Sequence, residues 1–265
     1  MLASVKLDKL VLEYVNIPLN IFDAIKDDWN ISDIKSNEGF HYHRCLQITK
    51  NDTYIKLYYQ SKYEIWKPVG KLRLETQPEY LCEFSSLLKK LKEISRDVYF
   101  VSMDVAFDFP IHQSNLLVTS NTGREMNLFQ GTRYFGGKGQ RGKNGYCRIY
   151  DKKQELLNRE VIKGELTRVE IVYKSKLVLA DLANHPPSFN KYYSGWIVDK
   201  DIKVPPIYKA IIICLQKGDM TINEFSRHYR RVIKNLFKDQ TIIDFDEHIR
   251  KLWIDQVSNI NRFVV

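Results

Sequence analysis

Nothing in the 265-residue sequence approaches the run of about 18 apolar residues that a membrane-spanning helix needs, and no signal-like apolar stretch follows Met1. A helical membrane protein is excluded, and a cytoplasmic chain is expected. Cysteine is scarce: Cys45, Cys82, Cys147 and Cys214 are scattered without CxxC spacing, which argues against a zinc site and against a disulfide framework. The Gly/Lys/Arg run GKGQRGKNG (137–145) lacks the GK[ST] ending of a phosphate-binding P-loop, so nucleotide hydrolysis has no support. Internal repeats and coiled-coil heptads are absent as well.

What is present is a core and an excess of positive charge. Hydrophobic residues make up 44% of the chain, ample for one large domain or a main domain with a small satellite, and the net charge of +9 points to a polyanionic partner, nucleic acid first. Alternation predicts strands at 7–14, 43–49, 54–60, 70–76, 99–109, 126–130, 133–136, 146–152 and 165–174. Helical spacing predicts helices over 18–29, from Pro78 to about 94, over 153–160 and near 176–184. Beyond Pro205-Pro206 it predicts three more, over 207–217, 221–237 and 244–260. The expected fold is α+β, a mostly antiparallel β-sheet with helices packed on one face and the active site on the other, plus a helical C-terminal region. The expected division is a catalytic body over 1–200 and a helical region over 201–265.

Alternation also sorts the charges. Residues i and i+2 of a strand share a face, so Arg73 pairs with Glu75, Asp104 with Asp108, Arg148 with Tyr150 and Lys152, and Arg168 with Glu170. The opposite faces are mainly apolar. Four carboxylates on one face repel unless a hard cation or basic residues compensate them. A metal site and a salt-bridge network both answer that requirement, and a plain solvated face is the third reading.

RLETQP (73–78), MDVAFDF (103–109), RYFG (133–136), RIYDKKQE (148–155) and LTRVEI (166–171) occur in that order. This ordered set resembles the replication initiators of staphylococcal-type rolling-circle plasmids, the Rep_trans family, whose domain is shared by relaxases of some conjugative elements. The resemblance covers about residues 5–175. It implies an enzyme that binds a double-strand origin as a homodimer, nicks one strand in single-stranded form, becomes joined to the 5′ phosphate through tyrosine, loads a host superfamily-1 DNA helicase, and religates. In that reading Tyr150 is the nucleophile, with Arg148, Lys152 and Arg168 as catalytic support. Asp104 and Glu170, with Glu75 or Asp108, hold Mg2+ or Mn2+. A conjugative relaxase and a non-catalytic nucleic-acid-binding protein are the alternatives. Catalytic strands that begin by residue 7 favour the plasmid role.

Four further features stand beside this set. Tyr173 is the rival nucleophile, but alternation places it on the opposite face from Glu170. His41 and His43 mimic a His-x-His metal motif, yet lie upstream of the carboxylate strands, where local hydrogen bonding is the simpler role. Lys138, Arg141 and Lys143 fit either a clamp on a phosphate backbone or a flexible surface loop. Arg230, Arg231 and Lys234, with His228, fit either a DNA-contacting helix or a solvated one.

Overall fold

The computed structural model describes residues 4–21, 25, 29–33, 41–64, 66–156, 164–199, 203–237 and 240–264. Of the helix expected over 18–29, Ile21 and Ile25 are helical and buried, whereas Pro18 ends a strand, residues 19–20 form a turn and Trp29 a bend; residues 22–24 and 26–28 lie outside the described residues. The chain divides into two compact units, each built from separated segments. One comprises residues 1–6, 105–173 and 187–251, the other 7–104, 174–186 and 252–265. The division does not follow the boundary expected near residue 200, because residues 203–251 pack with strands from the middle of the chain.

Thirteen strands are assigned among the described residues. They are β1 (Ser4–Pro18), β2 (Asn30–Asp33), β3 (Tyr42–Lys50), β4 (Thr53–Ser61), β5 (Val69–Thr76), β6 (Asp97–Phe109), β7 (Leu116–Ser120), β8 (Met126–Phe129), β9 (Thr132–Phe135), β10 (Cys147–Asp151), β11 (Thr167–Val178), β12 (Tyr193–Ile197) and β13 (Thr241–Ile243). The helices are α1 (Ser85–Ile94), α2 (Lys152–Leu156), α3 (Pro206–Lys217), α4 (Arg227–Leu236) and α5 (Phe245–Val264).

In the unit containing residues 7–104 the strand order is β2-β3-β4-β5-β1-β6. β3 and β4 form a hairpin about Asn51 and Asp52, both in the left-handed region, as the turn residues predict. The expected helix from Pro78 is a 3₁₀ helix over Pro78–Phe84 followed by α1, whose Leu87, Leu88 and Leu91 are fully buried.

The other unit carries the order β6-β11-β10-β9-β8 and a second sheet, β13-β12-β7. The apolar side of β6 meets the helical layer here: the Phe107 ring stacks edge-on against Phe189 at 6.0 Å and against Phe245 of α5 at 5.0 Å. α3 and α4 place Ile212, Leu215 and Ile233 in one buried cluster with Leu117 of β7 and Trp196 of β12. The helix expected over 221–237 is broken: a 3₁₀ turn at Ile222–Glu224 ends before Ser226, whose hydroxyl caps α4 by accepting from Tyr229 N. Near 176–184 the expected helix is instead the end of β11 followed by a 3₁₀ helix over Leu179–Asn184. Of the helix expected over 153–160, the described part is α2, and 157–160 lie outside the described residues. The architecture is α+β with a large antiparallel sheet.

Candidate active site

The site is built by strand register. β10 and β11 pair antiparallel with Arg148 opposite Glu170 and Tyr150 opposite Arg168. Directly opposed residues share a face, as do residues two apart. The four side chains therefore form a two-by-two block on one face of the sheet. Apolar Cys147, Ile149, Val169 and Ile171 alternate with them and are fully buried on the other face. β9 extends the block, with Tyr134 opposite Arg148, and β8 extends it again, with Asn127 opposite Tyr134.

Within the block the contacts are dense. The Tyr150 hydroxyl donates to Glu170 Oε1 at 2.5 Å, and Arg148 Nε donates to Glu170 Oε2. Arg168 Nη1 lies 3.7 Å from Glu170 Oε1. On its other side Arg168 grips Asp108 of β6 with both prongs, Nε to Oδ1 at 2.6 Å and Nη2 to Oδ2 at 2.8 Å. Ser4 Oγ adds a bond to Asp108 Oδ2 at 3.3 Å. The Asp108 and Arg168 side chains are 7% and 6% exposed, so the pair is held without competition from solvent, in the forked geometry that makes arginine–carboxylate pairs strong. Arg168 thus fixes Glu170, and Glu170 fixes Tyr150.

The electrostatics follow. Burial pushes the Tyr150 phenol far above the ordinary tyrosine value, and the Glu170 charge and hydrogen bond push the same way; Arg168 opposes them. The phenol is therefore protonated in the resting protein and aims its proton at a carboxylate. Lys152, two residues on, sits 5.9 Å from the centre of the Tyr150 ring and is paired with Glu155 at 2.9 Å. Arg148 remains 42% exposed at the side chain, so the block opens to solvent on that flank.

Of the four carboxylates expected to hold a metal, Asp108 and Glu170 belong to this block. Glu75 and Asp104 belong to the other unit. There Glu75 is bonded to Lys9 at 2.8 Å and to Arg73 at 2.6 Å. Burial would raise the Glu75 carboxyl, but those two cations outweigh it and hold it below the usual range. Asp104 is half-buried on β6. Among the described residues no three His, Cys, Asp or Glu side chains are gathered as a metal requires. Both oxygens of Asp108 are taken by Arg168, and those of Glu170 by Tyr150 and Arg148. Hence the donor set does not fit a hard cation that wants about six free oxygens. In the block itself, arginines supply the compensation. His41 and His43 are exposed and belong to the unit that lacks Tyr150.

The basic loop continues the same unit. Lys138, Arg141 and Lys143 are exposed, and the Arg141 guanidinium lies 5.9 Å from the centre of the Tyr134 ring. Successive turns, Gln140 N to Gly137 O, Lys143 N to Gln140 O and Tyr146 N to Lys143 O, give the loop a defined path. Arg124 Nη2 donates to Asn144 O at 2.7 Å and ties it down. Arg230, Arg231 and Lys234 lie on the exposed side of α4, whose one buried residue is Ile233. Tyr173 is buried on the face opposite Glu170, away from the block. Residues that sequence reasoning missed are Ser4 and Tyr134. Tyr134 carried a signal, since it alternates with buried Arg133 and Phe135; Ser4 carried none.

No family model matches the chain. Two curated proteins of Staphylococcus aureus, each named Replication initiation protein, are 28% identical over 194 and 189 residues; each alignment covers 66% of this chain and 57% of the relative. The chain thus spans little more than half the length of the curated relatives it matches. Among solved structures, a rolling circle replication initiator protein from Geobacillus stearothermophilus is 13% identical, with a TM-score of 0.42 over 80% of this chain and 96% of that one. The motif order and the similarity over two thirds of the chain point the same way: by sequence this chain is similar to the two staphylococcal replication initiation proteins.

Proposed function

We propose that the protein is a rolling-circle replication initiator that nicks one DNA strand at an origin by tyrosine transesterification and later reseals it. The observation that carries this reading is the Tyr150 hydroxyl donating to Glu170, itself held by two arginines, in a block that Arg148 opens to solvent on one flank. In the proposed step the Tyr150 oxygen attacks the scissile phosphorus while its proton passes to Glu170 Oε1. The phosphorus–O3′ bond breaks, and the departing 3′ oxygen takes a proton from solvent. The new phosphotyrosine retains the energy of the broken linkage, so the reverse reaction reseals the strand without ATP. A phenol held protonated needs a base in contact as the new bond forms, and Glu170 is placed for it. Arg148 and Lys152 flank the phenol, where the negative charge of the attacked phosphate gathers.

Lys138, Arg141 and Lys143 are proposed to hold the phosphate backbone beside the site, and Arg230, Arg231 and Lys234 to contact duplex origin DNA. A homodimer and a host helicase partner are proposed from the resemblance alone. Mg2+ or Mn2+ is also proposed on that basis. The carboxylates described above form no cage for it, and no step above uses it.

The test is incubation with origin DNA in single-stranded form and Mn2+, followed by a denaturing gel. Wild type is expected to yield protein covalently joined to DNA, and Tyr150→Phe none. Adduct from the variant would remove Tyr150 from its role. Absence of cleavage by either protein would favour the non-catalytic binding reading. Cleavage that stops in EDTA and returns with Mn2+ would support the cation; cleavage that persists in EDTA would take it out of the reaction.

A further inference from the structure

We infer that single-stranded DNA leaves the nucleophile across β9 and β8, with its bases stacked on Tyr134 and Phe129. The inference deepens the nicking reading and rests on it. Two rows of side chains cross four strands on the block's face. One row is Asn127, Tyr134, Arg148 and Glu170, each opposite the next. The second is offset by two residues: Phe129 opposes Thr132, and Tyr150 opposes Arg168. Pairing between β9 and β10 ends at Arg133 with Ile149, and the same register carried one position further would set Thr132 beside Tyr150. Phe129 therefore stands in line with the nucleophile, with only Thr132 between them. At about 4.8 Å per strand the separation is roughly 10 Å.

Phe129 has no packing role that explains it. It is 63% exposed, at the tip of a hairpin on the edge of the sheet. Tyr134 is half-buried and capped by the Arg141 guanidinium. Exposed Lys138 and Lys143 lie on the same loop as Arg141. Aromatic faces interleaved with cations are what a single strand requires: each base has a face to stack, and each phosphate a charge to meet. A duplex keeps its base faces covered and cannot use Phe129 or Tyr134 in this way. The occupant assigned to the strip is thus unpaired DNA, on the hairpin side of Tyr150.

The test uses full-length protein carrying Tyr150→Phe, so that covalent trapping does not distort affinity. The probes are a fluorescein-labelled single-stranded oligonucleotide of mixed sequence and the same sequence as a duplex, read by anisotropy. Phe129→Ala and Tyr134→Ser are each expected to weaken single-strand binding by about fivefold or more, to leave duplex binding unchanged, and Tyr134→Phe to restore it. Unchanged single-strand affinity overturns the inference, as does an equal loss on duplex. Phe129 is exposed enough that its replacement leaves folding intact, which a melting curve checks, so the inference stays falsifiable if Tyr134→Ser does not fold. The readout is binding alone. Failure of Tyr150→Phe to abolish adduct would overturn the nucleophile and leave this result standing.

Discussion

Arg168 is the residue on which the site turns, because it holds two carboxylates at once. Its partner Asp108 is almost fully buried, and an arginine left in the interior without its counter-ion is costly. Asp108→Asn keeps the shape and removes the charge, and is expected to cost about 3–5 kcal/mol, read as a lower urea midpoint. Glu170→Gln acts differently: it keeps a hydrogen-bonding group beside Tyr150 and removes the base. Adduct formation is expected to slow by about 10²–10⁴ while DNA binding persists; a smaller effect would assign the proton to another acceptor. These residues were legible from alternation alone. Arg148 and Tyr150 share one face of β10, and Arg168 and Glu170 one face of β11, whatever the strand order. Which carboxylates meet was not legible, because it depends on β11 lying between β6 and β10. Asp108 therefore joins the block, whereas Glu75 is ion-paired in the other unit.

Elements were legible where the pattern alternates and hidden where it does not. β7, LLVTS, is buried at every position and gives no period to read. β12, YSGWI, carries Gly195, which looks like a turn signal. It is a close approach instead: a Cβ there would sit 3.2 Å from the Phe245 ring. The basic loop offers the reverse case, where a glycine is needed for its backbone. Gly145 has φ +74°, and an added Cβ would lie 3.0 Å from the Tyr192 ring. Its N–H donates to Val172 O at 2.7 Å, which joins the loop to β11. Gly145→Ala is expected to cost about 1–3 kcal/mol and to lower the melting temperature by several degrees. Single-strand affinity should fall with it, since Arg141 rides on that loop.

Across the whole molecule, several acidic groups are buried in their neutral form. Burial raises the Tyr14, Tyr150 and Tyr193 phenols and the Cys147 thiol above their ordinary values, and the Tyr14 hydroxyl is buried without a hydrogen-bond partner among the described residues. A group whose value is raised by folding stabilises the fold fully below its unfolded value, 9.0 for the thiol and 10.0 for the phenols, and loses that contribution as pH climbs past it. The melting temperature is expected to be level from about pH 7 to about pH 9 and to fall steeply above it. A melting temperature that holds to pH 11, well past about 10, would mean these groups ionise in place.

The division of the chain carries a consequence for its synthesis. Each unit draws on segments far apart in sequence: the one with Tyr150 needs residues up to 251, and the other needs residues 252–264, where the Trp253 indole N–H donates to Leu182 O at 3.1 Å. A ribosome that has made only the first 200 residues has therefore completed neither. Tyr150 is translated well before that point, but the unit that holds it closes only once residue 251 has been made. Chains that stop before residue 251 should thus carry Tyr150 and its partners in sequence without the fold that brings them together.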